Sequence, residues 1–260
     1  MATLTIHNGD CLAVMKDISS NKIDLIICDL PYGVLSGGGK LENLKGASYG
    51  QGACAWDVKI DLAKFWTEAK RILKNEHSPV IHFCTTKFGA ELINSNPSWF
   101  RYDLVWDKGF GVSFLSANRM PMRSHEMIYV FSKAGAYYNR VDISGNFKPY
   151  TLGNGESKQY GQQKKVRATE EKGNGKRCAL SVIKNPKSYT RDGHPTEKPT
   201  DIYRWLIERY CPPDGTVLDP TFGSGNSVFT AFEMGRTAIG IEKDTGFYEK
   251  AEAKLKNTIE

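Results

Sequence analysis

TVLDPTFGSGNSVFTAFEMGRTAIGIEKD, residues 216–244, reads as strand, glycine turn, helix, strand. Residues 216–218 are apolar and lead into Asp219, Pro220, Thr221 and then Phe222-Gly223-Ser224-Gly225, with a helix opening near Asn226. Glycine lets the backbone come close to a ligand where a side chain would block it. Glu242 ends the strand over residues 237–241, where a carboxylate can accept from both hydroxyls of a ribose. The unit is βαβ, which requires a parallel sheet and predicts an α/β fold. It suits an adenosine-bearing cofactor. A nicotinamide-binding fold uses a similar strand, turn and acid, so the unit alone leaves the cofactor open. A nucleoside triphosphate is disfavoured because G-x-x-x-x-G-K-[ST] is absent and no lysine follows Gly225.

Working outward, DLIICD at residues 24–29 is a short apolar run of the kind buried on both faces of a parallel sheet. The stretch 33–49 contains Gly37-Gly38-Gly39 and no periodicity, and is expected to be a mobile loop beside a ligand site. DLAKFWTEAKRILK from Asp61 places Leu62, Phe65, Trp66, Ala69, Ile72 and Leu73 on one helical face. SPVIHFC then reads as a strand in which His82 is expected to be a core histidine with its hydrogen bonds satisfied. Further strands are expected at residues 103–106 and 127–131, and helices at residues 202–210 and 245–255.

Asp29-Leu30-Pro31-Tyr32 lies where the first buried strand ends, and its residue types address one chemical problem. The amino nitrogen of adenine or cytosine is a poor nucleophile because its lone pair is delocalised into the ring. The Asp29 carboxylate and the carbonyl of Leu30 or Pro31 can accept its two N–H bonds and draw it toward a tetrahedral, nucleophilic form. Pro31 stiffens the turn, and Tyr32 offers a face for an extruded base. Taken alone, D-x-P-Y is more often only a strand terminus.

The chain has 260 residues, enough for one α/β core and an accessory region. No apolar run approaches a membrane span, and the start MATLTIHNGD lacks a secretory pattern, so a cytoplasmic protein is expected. Cys11, Cys28, Cys54, Cys84, Cys178 and Cys211 show no C-x-x-C spacing; free thiols and no metal site are expected. Of the net charge of +6, residues 140–192 carry twelve cations against five acids, so the basic character is local. Residues 136–192 are therefore read as a loop-rich basic insertion into a catalytic domain made of residues 1–135 and 193–260.

Together these motifs resemble the amino-group DNA methyltransferases of the beta class, in which the catalytic tetrad precedes the cofactor motif. The resemblance covers nearly the whole chain. Asp29-Leu30-Pro31-Tyr32 is similar to the family's D-P-P-Y, and Asp219-Pro220-Thr221-Phe222-Gly223-Ser224-Gly225 to its D-P-F-x-G-S-G. His194-Pro195-Thr196-Glu197-Lys198-Pro199 resembles H-P-T-x-K-P, and Arg123-Ser124-His125-Glu126 a further shared segment. The resemblance implies a Rossmann-like methyltransferase fold, a mostly parallel mixed sheet with permuted motif order. It also implies S-adenosyl-L-methionine held by Asp219, Pro220, Thr221, Phe222, Gly223, Ser224, Gly225, Asn226, Glu242 and Lys243, with Thr196 and Lys198 near the methionine carboxylate. Asp10 and Cys11, in Asn8-Gly9-Asp10-Cys11, are implied near the cofactor's adenine, and Asp29 borders the same site. Leu30 departs from the family's first proline, and Thr221-Phe222 from its usual order. His125 and Glu126 are read as structural.

In the family the segment before H-P-T-x-K-P recognises the target, which here is the basic insertion. Lys158, Lys164, Lys165, Arg167, Lys176 and Arg177 are expected to meet the phosphates of double-stranded DNA, and Asn154, Gln159, Gln162, Gln163 and Asn174 could read base edges. The expected activity is site-specific methylation of adenine N6 in a flipped-out base, as in restriction and modification. Cytosine N4, an amino group of RNA or protein, and a non-catalytic DNA-binding relative stay open, as does a homodimer.

Overall fold

The computed structural model describes residues 2–32, 58–112, 114, 117–144, 150–152, 155–157, 161–163, 166–168, 176–184 and 197–259. Residues 33–49, Cys54, Asn154, Lys158, Gln159, Lys164, Lys165, Asn174 and Thr196, all singled out by sequence, lie outside them.

Contacts divide the chain into one unit of residues 1–139 and 181–260 and a second of Arg140–Leu180. The first holds strands β1 (Leu4–Asn8), β2 (Leu25–Cys28), β3 (Val80–Cys84), β4 (Phe100–Val112) and β5 (Arg123–Phe131). The second holds β6 (Ile143–Ser144), β7 (Tyr150–Leu152), β8 (Gly155–Ser157), β9 (Gly161–Gln163), β10 (Val166–Ala168) and β11 (Lys176–Arg177). The first unit resumes with β12 (Val182–Lys184), β13 (Thr216–Asp219) and β14 (Thr237–Glu242). Its helices are α1 (Cys11–Asp17), α2 (Leu62–Ile72), α3 (Thr86–Ser95), α4 (Thr200–Tyr210), α5 (Asn226–Glu233) and α6 (Thr245–Ile259).

Eight strands of the first unit form one sheet in the order β1-β14-β13-β2-β3-β5-β4-β12. Only β5 runs antiparallel to its neighbours in this sheet. Strand β2 alternates its side chains between two cores, because successive residues of a strand point to opposite faces. Leu25 and Ile27 join α4 and α5 on one face. Ile26, Cys28 and Leu30 join α2 on the other. That double burial is why the run reads as continuously apolar.

Strands β2 and β13 pair side by side, Val217 opposite Leu25 and Leu218 opposite Ile26. From β2 the chain proceeds to β3 on one side, and from β13 to β14 on the other. The sheet therefore reverses its winding between them, and the crevice outside their carboxyl ends is where open α/β sheets bind ligands. The tetrad follows β2 and the glycine turn follows β13, so two motifs 190 residues apart share that crevice. Asp24 helps fix the pair: its buried carboxylate accepts the Thr216 amide at 2.9 Å and lies 3.0 Å from the Lys74 ammonium.

The second unit contains three nested antiparallel ladders, β6 with β11, β7 with β10 and β8 with β9. These two- and three-residue strands carry too few alternating apolar residues to announce themselves. Strands β4 and β5 are also longer than the apolar cores expected at residues 103–106 and 127–131, because their polar ends project past the core.

Candidate active site

The crevice is a cleft of about 570 Å³, within the range of small-molecule sites. The tetrad residues Asp29, Leu30, Pro31 and Tyr32 border it on one side. Pro220, Thr221, Phe222, Gly223 and Ser224 of the glycine turn border it on another. Asp10, Cys11, Lys198, Glu242 and Lys243 also line it. Asp219 and Asn226 are buried behind this lining, and Gly225 turns the chain into α5.

The glycine turn is shaped by close approach. Gly225 has φ of 82°, in the left-handed region, and a Cβ there would lie 2.8 Å from the Phe229 ring. Gly240 on β14 leaves room for Phe222, whose ring a Cβ would meet at 2.6 Å. Phe222 is thereby seated partly in the core and partly on the cleft wall. The Thr221 hydroxyl donates to the Asp29 carbonyl at 3.3 Å, tying the turn to the tetrad. Glu242 accepts the Gly223 amide at 2.9 Å and the Asp244 amide at 2.7 Å, which holds its carboxylate at the cleft wall. Burial pushes the Glu242 carboxyl upward. Asp219 is almost wholly buried, and burial lifts its carboxyl to about 7 against the hydrogen bonds from Ser227 and the Thr221 amide.

Asp29 meets two donors. The Tyr32 hydroxyl lies 2.6 Å from one carboxylate oxygen and 3.0 Å from the Phe83 carbonyl. The Lys198 ammonium donates to the other oxygen. Burial and the Asp29 carboxylate both push the Tyr32 phenol upward, so it is a donor across the physiological range. The Tyr32 ring lies 4.9 Å from that of Phe88, centroid to centroid, at an angle of 37°. Leu30, standing where the family has proline, fills the core beneath the tetrad with 1% exposure.

The structure joins Lys198 to two carboxylates, Asp29 and Glu126, the second at 3.4 Å. Glu126 also receives the Lys108 ammonium. Burial acts to lower Lys198, but the Asp29 and Glu126 carboxylates outweigh it and hold the ammonium above its usual range. Burial acts to raise Glu126, and the two lysines outweigh that in turn. Asn226 positions the lysine segment by donating to the Glu197 carboxylate at 2.5 Å and to the Lys198 carbonyl at 2.9 Å.

Glu126 therefore belongs to the cleft, which revises its reading as a structural residue; its place on β5, two strands from β2, depends on tertiary pairing that the sequence does not display. Ile60, Tyr203 and Phe247 line the cleft as well and carried no motif. His82 is a core residue as expected, but among the described residues neither ring nitrogen has a hydrogen-bond partner. Edge contacts to Phe65, Trp66 and Phe131 surround it instead, and burial lowers its pKa to about 3, keeping it neutral. Cys11, Cys28, Cys84, Cys178 and Cys211 are free, and among the described residues no cluster of metal-ligating side chains occurs. Of the residues expected to meet DNA, Arg167 lies on β10, Lys176 on β11, and Arg177 on β11 with its side chain exposed. Among the described residues no helix is long and apolar enough to cross a membrane.

A mostly parallel doubly wound sheet with a glycine turn, a terminal acid and the Asp29 tetrad around its switch point defines a Rossmann-like methyltransferase domain. The family model described as DNA methylase, for N6 and N4 amino-methyltransferases, matches residues 23–253, and the chain belongs to that family of DNA amino-methyltransferases. The type II methyltransferase M.HinfI of Haemophilus influenzae is 28% identical over 267 residues, covering 97% of this chain and 68% of the relative. The DNA adenine methyltransferase YhdJ of Escherichia coli (strain K12) is 24% identical over 275 residues, covering 96% and 82%. The crystal structure of the M1.HpyAVI-SAM complex aligns with a TM-score of 0.59 at 19% identity, covering 96% of this chain and 98% of that one.

Proposed function

We propose that this DNA methyltransferase methylates the N6 amino group of adenine, extruded from double-stranded DNA, at a specific site. The observation that carries this reading is the Asp29 carboxylate at the carboxyl end of β2, beside the glycine turn of β13. S-adenosyl-L-methionine supplies an electrophilic methyl on a sulfonium. The cleft suits it: the glycine turn permits backbone approach, Glu242 stands where ribose hydroxyls would be accepted, and Phe222, Leu12 and Ile60 offer apolar walls to an adenine ring.

Asp29 and the following main-chain carbonyl accept the two amino N–H bonds and concentrate the nitrogen lone pair toward the cleft. Tyr32 keeps the carboxylate oriented by its hydroxyl, and its ring, which borders the cleft, offers a stacking face for the base. The Lys198 ammonium, itself held by Glu126, donates to the second Asp29 oxygen and fixes the carboxylate in position as an acceptor. An initial aspartate rather than serine in the tetrad favours adenine over cytosine N4, and the relative YhdJ bears the name of a DNA adenine methyltransferase. Target recognition is assigned to residues 136–192, whose charge meets phosphates through Lys158, Lys164, Lys165, Arg167, Lys176 and Arg177.

The test is incubation of duplex DNA with the protein and labelled S-adenosyl-L-methionine, followed by digestion to nucleosides and base-resolved sequencing. Label in N6-methyladenine, lost in Asp29→Ala, is expected. Label in N4-methylcytosine would overturn the choice of base, and undiminished activity in Asp29→Ala would overturn the role of the carboxylate.

A further inference from the structure

The β4–β5 hairpin carries features that neither the cofactor cleft nor the tetrad uses. Strand β4 runs in the same direction as β3, so its end lies on the edge of the sheet where β2 and β13 also end. Val105 is level with Cys84, the last residue of β3, through their common neighbour Met127. The ladder nevertheless continues to Val112 opposite Arg123, four residues past Met127 on β5, which at the ordinary rise per residue projects about 13 Å past that edge. A register shift between Asp107 and Val112 marks where it leaves the regular sheet.

The far end of the hairpin is apolar and open to solvent. Phe114 is 73% exposed, Met120 56% and Met122 47%, the densest group of large exposed hydrophobics along the chain's described residues. Residues 109–125 hold Arg119 and Arg123 and no aspartate or glutamate. Exposed apolar groups gathered within a basic setting mark a binding surface, and the absence of acids fits a polyanion. The base of the same hairpin carries Lys108 paired with Glu126, and Glu126 reaches Lys198 and through it Asp29.

We propose that this hairpin tip is a wedge for duplex DNA, with Phe114 entering the base stack at the target and Met120 and Met122 flanking it, while Arg119 and Arg123 meet the adjoining phosphates. Extruding a base leaves a gap and costs unstacking energy; an apolar side chain that occupies the gap lowers that cost, as apolar wedges do in proteins that kink DNA. The inference rests on the base-extrusion reading of the site and adds the group that keeps the vacated position filled.

The experiment measures single-turnover methylation by wild type, Phe114→Ala and Phe114→Leu on two duplexes, one with the target base normally paired and one with it opposite an abasic position. Phe114→Ala is expected to lose about tenfold to a hundredfold on the paired duplex, the range of one base–aromatic stack, and to recover to near the wild-type rate opposite the abasic position. Phe114→Leu should fall between. Equal loss on both duplexes, or loss on neither, overturns the wedge, as does conversion of a dimer to a monomer by Phe114→Ala in light scattering, which would assign the tip to a second copy. Asp29→Ala is run in parallel. Activity surviving there removes the reading of the site itself, whereas dependence on Asp29 with no duplex-specific response at Phe114 removes the wedge alone.

Discussion

The Lys198 ammonium is buried between the carboxylates of Asp29 and Glu126, donating to the first and lying 3.4 Å from the second. The lysine arrives from the segment just before α4, Asp29 from the end of β2 and Glu126 from β5, so three stretches of chain meet on one charge. Removing one partner of a buried ion pair leaves the other uncompensated and typically costs about 3–5 kcal/mol. Lys198→Met should therefore both lower the melting temperature and suppress methylation, since Asp29 loses its cation and Glu126 keeps only Lys108. Glu126→Gln should also cost stability, because Lys108 loses its carboxylate partner, and combined with Lys198→Met the loss should be less than the sum of the two. Additive losses in that double-mutant cycle, followed by thermal melts, would show that the three groups are not coupled.

Tyr32 separates two contributions that substitution can distinguish. Tyr32→Phe removes the hydroxyl that lies 2.6 Å from Asp29 but keeps the ring. A loss of about tenfold to a hundredfold in kcat is expected, the size of one hydrogen bond to a charged group. Tyr32→Ala removes the stacking face as well and should lose about tenfold to a hundredfold more. Steady-state kinetics on a fixed duplex will separate them; equal losses would mean that the ring has no part in holding the base.

Much of this arrangement was legible before the fold was known. The glycine turn and its acid mark β13 and β14 because glycine and a terminal carboxylate have distinctive local roles, and the apolar run at residues 25–28 marks β2 because both faces are buried. What the sequence could not display was pairing at long range. Glu126 looks like any half-polar strand residue until β5 places it opposite Lys198, and Asn226 looks like a helix-opening residue until it is seen to hold the Lys198 carbonyl. Strand β1 and helix α1 were missed because residues 4–17 mix polar and apolar positions without clear periodicity, although the edge position of β1 tolerates that.

Gly240 offers a test of the cofactor cleft that touches no residue proposed to contact the cofactor's polar groups. A Cβ at this position would lie 2.6 Å from the Phe222 ring, so Gly240→Ala must move that ring off β14. Phe222 also borders the cleft, so a displaced ring intrudes on it. Affinity for S-adenosyl-L-methionine, measured by calorimetry, should weaken by about tenfold or more while the enzyme remains folded, an overpacking cost of about 1–3 kcal/mol being typical. Unchanged affinity would mean that Phe222 does not border the bound cofactor.

Asp219 makes stability depend on pH in a direction opposite to that of an ion-paired carboxylate. Burial lifts its pKa to about 7 in the folded protein, from the ordinary 3.8. The folded state thus retains a proton that the unfolded chain has already lost, so this group's contribution is fully present below about 4 and declines as pH rises through about 7. Asp219→Asn keeps the shape without the charge. Its melting temperature relative to wild type should therefore climb between pH 4 and pH 7, and a flat difference would contradict the shifted carboxyl.

The basic insertion predicts a salt dependence that can be assigned to particular side chains. Residues 140–192 carry a charge of +7, whereas the rest of the chain sums to −1. Each phosphate neutralised releases counterions, so the logarithm of DNA affinity falls with the logarithm of salt at a slope of about −0.9 per contact. Replacing Lys164, Lys165 and Arg167 together with alanine should weaken binding to any duplex and make that slope shallower by about 2–3. Base preference should change far less, because phosphate contacts position the protein without reading sequence. Fluorescence anisotropy across a salt series, on duplexes with and without the methylated site, separates the two effects. A slope that stays at the wild-type value would move the phosphate contacts elsewhere on the chain, with Arg119 and Arg123 of the β4–β5 hairpin the next to replace.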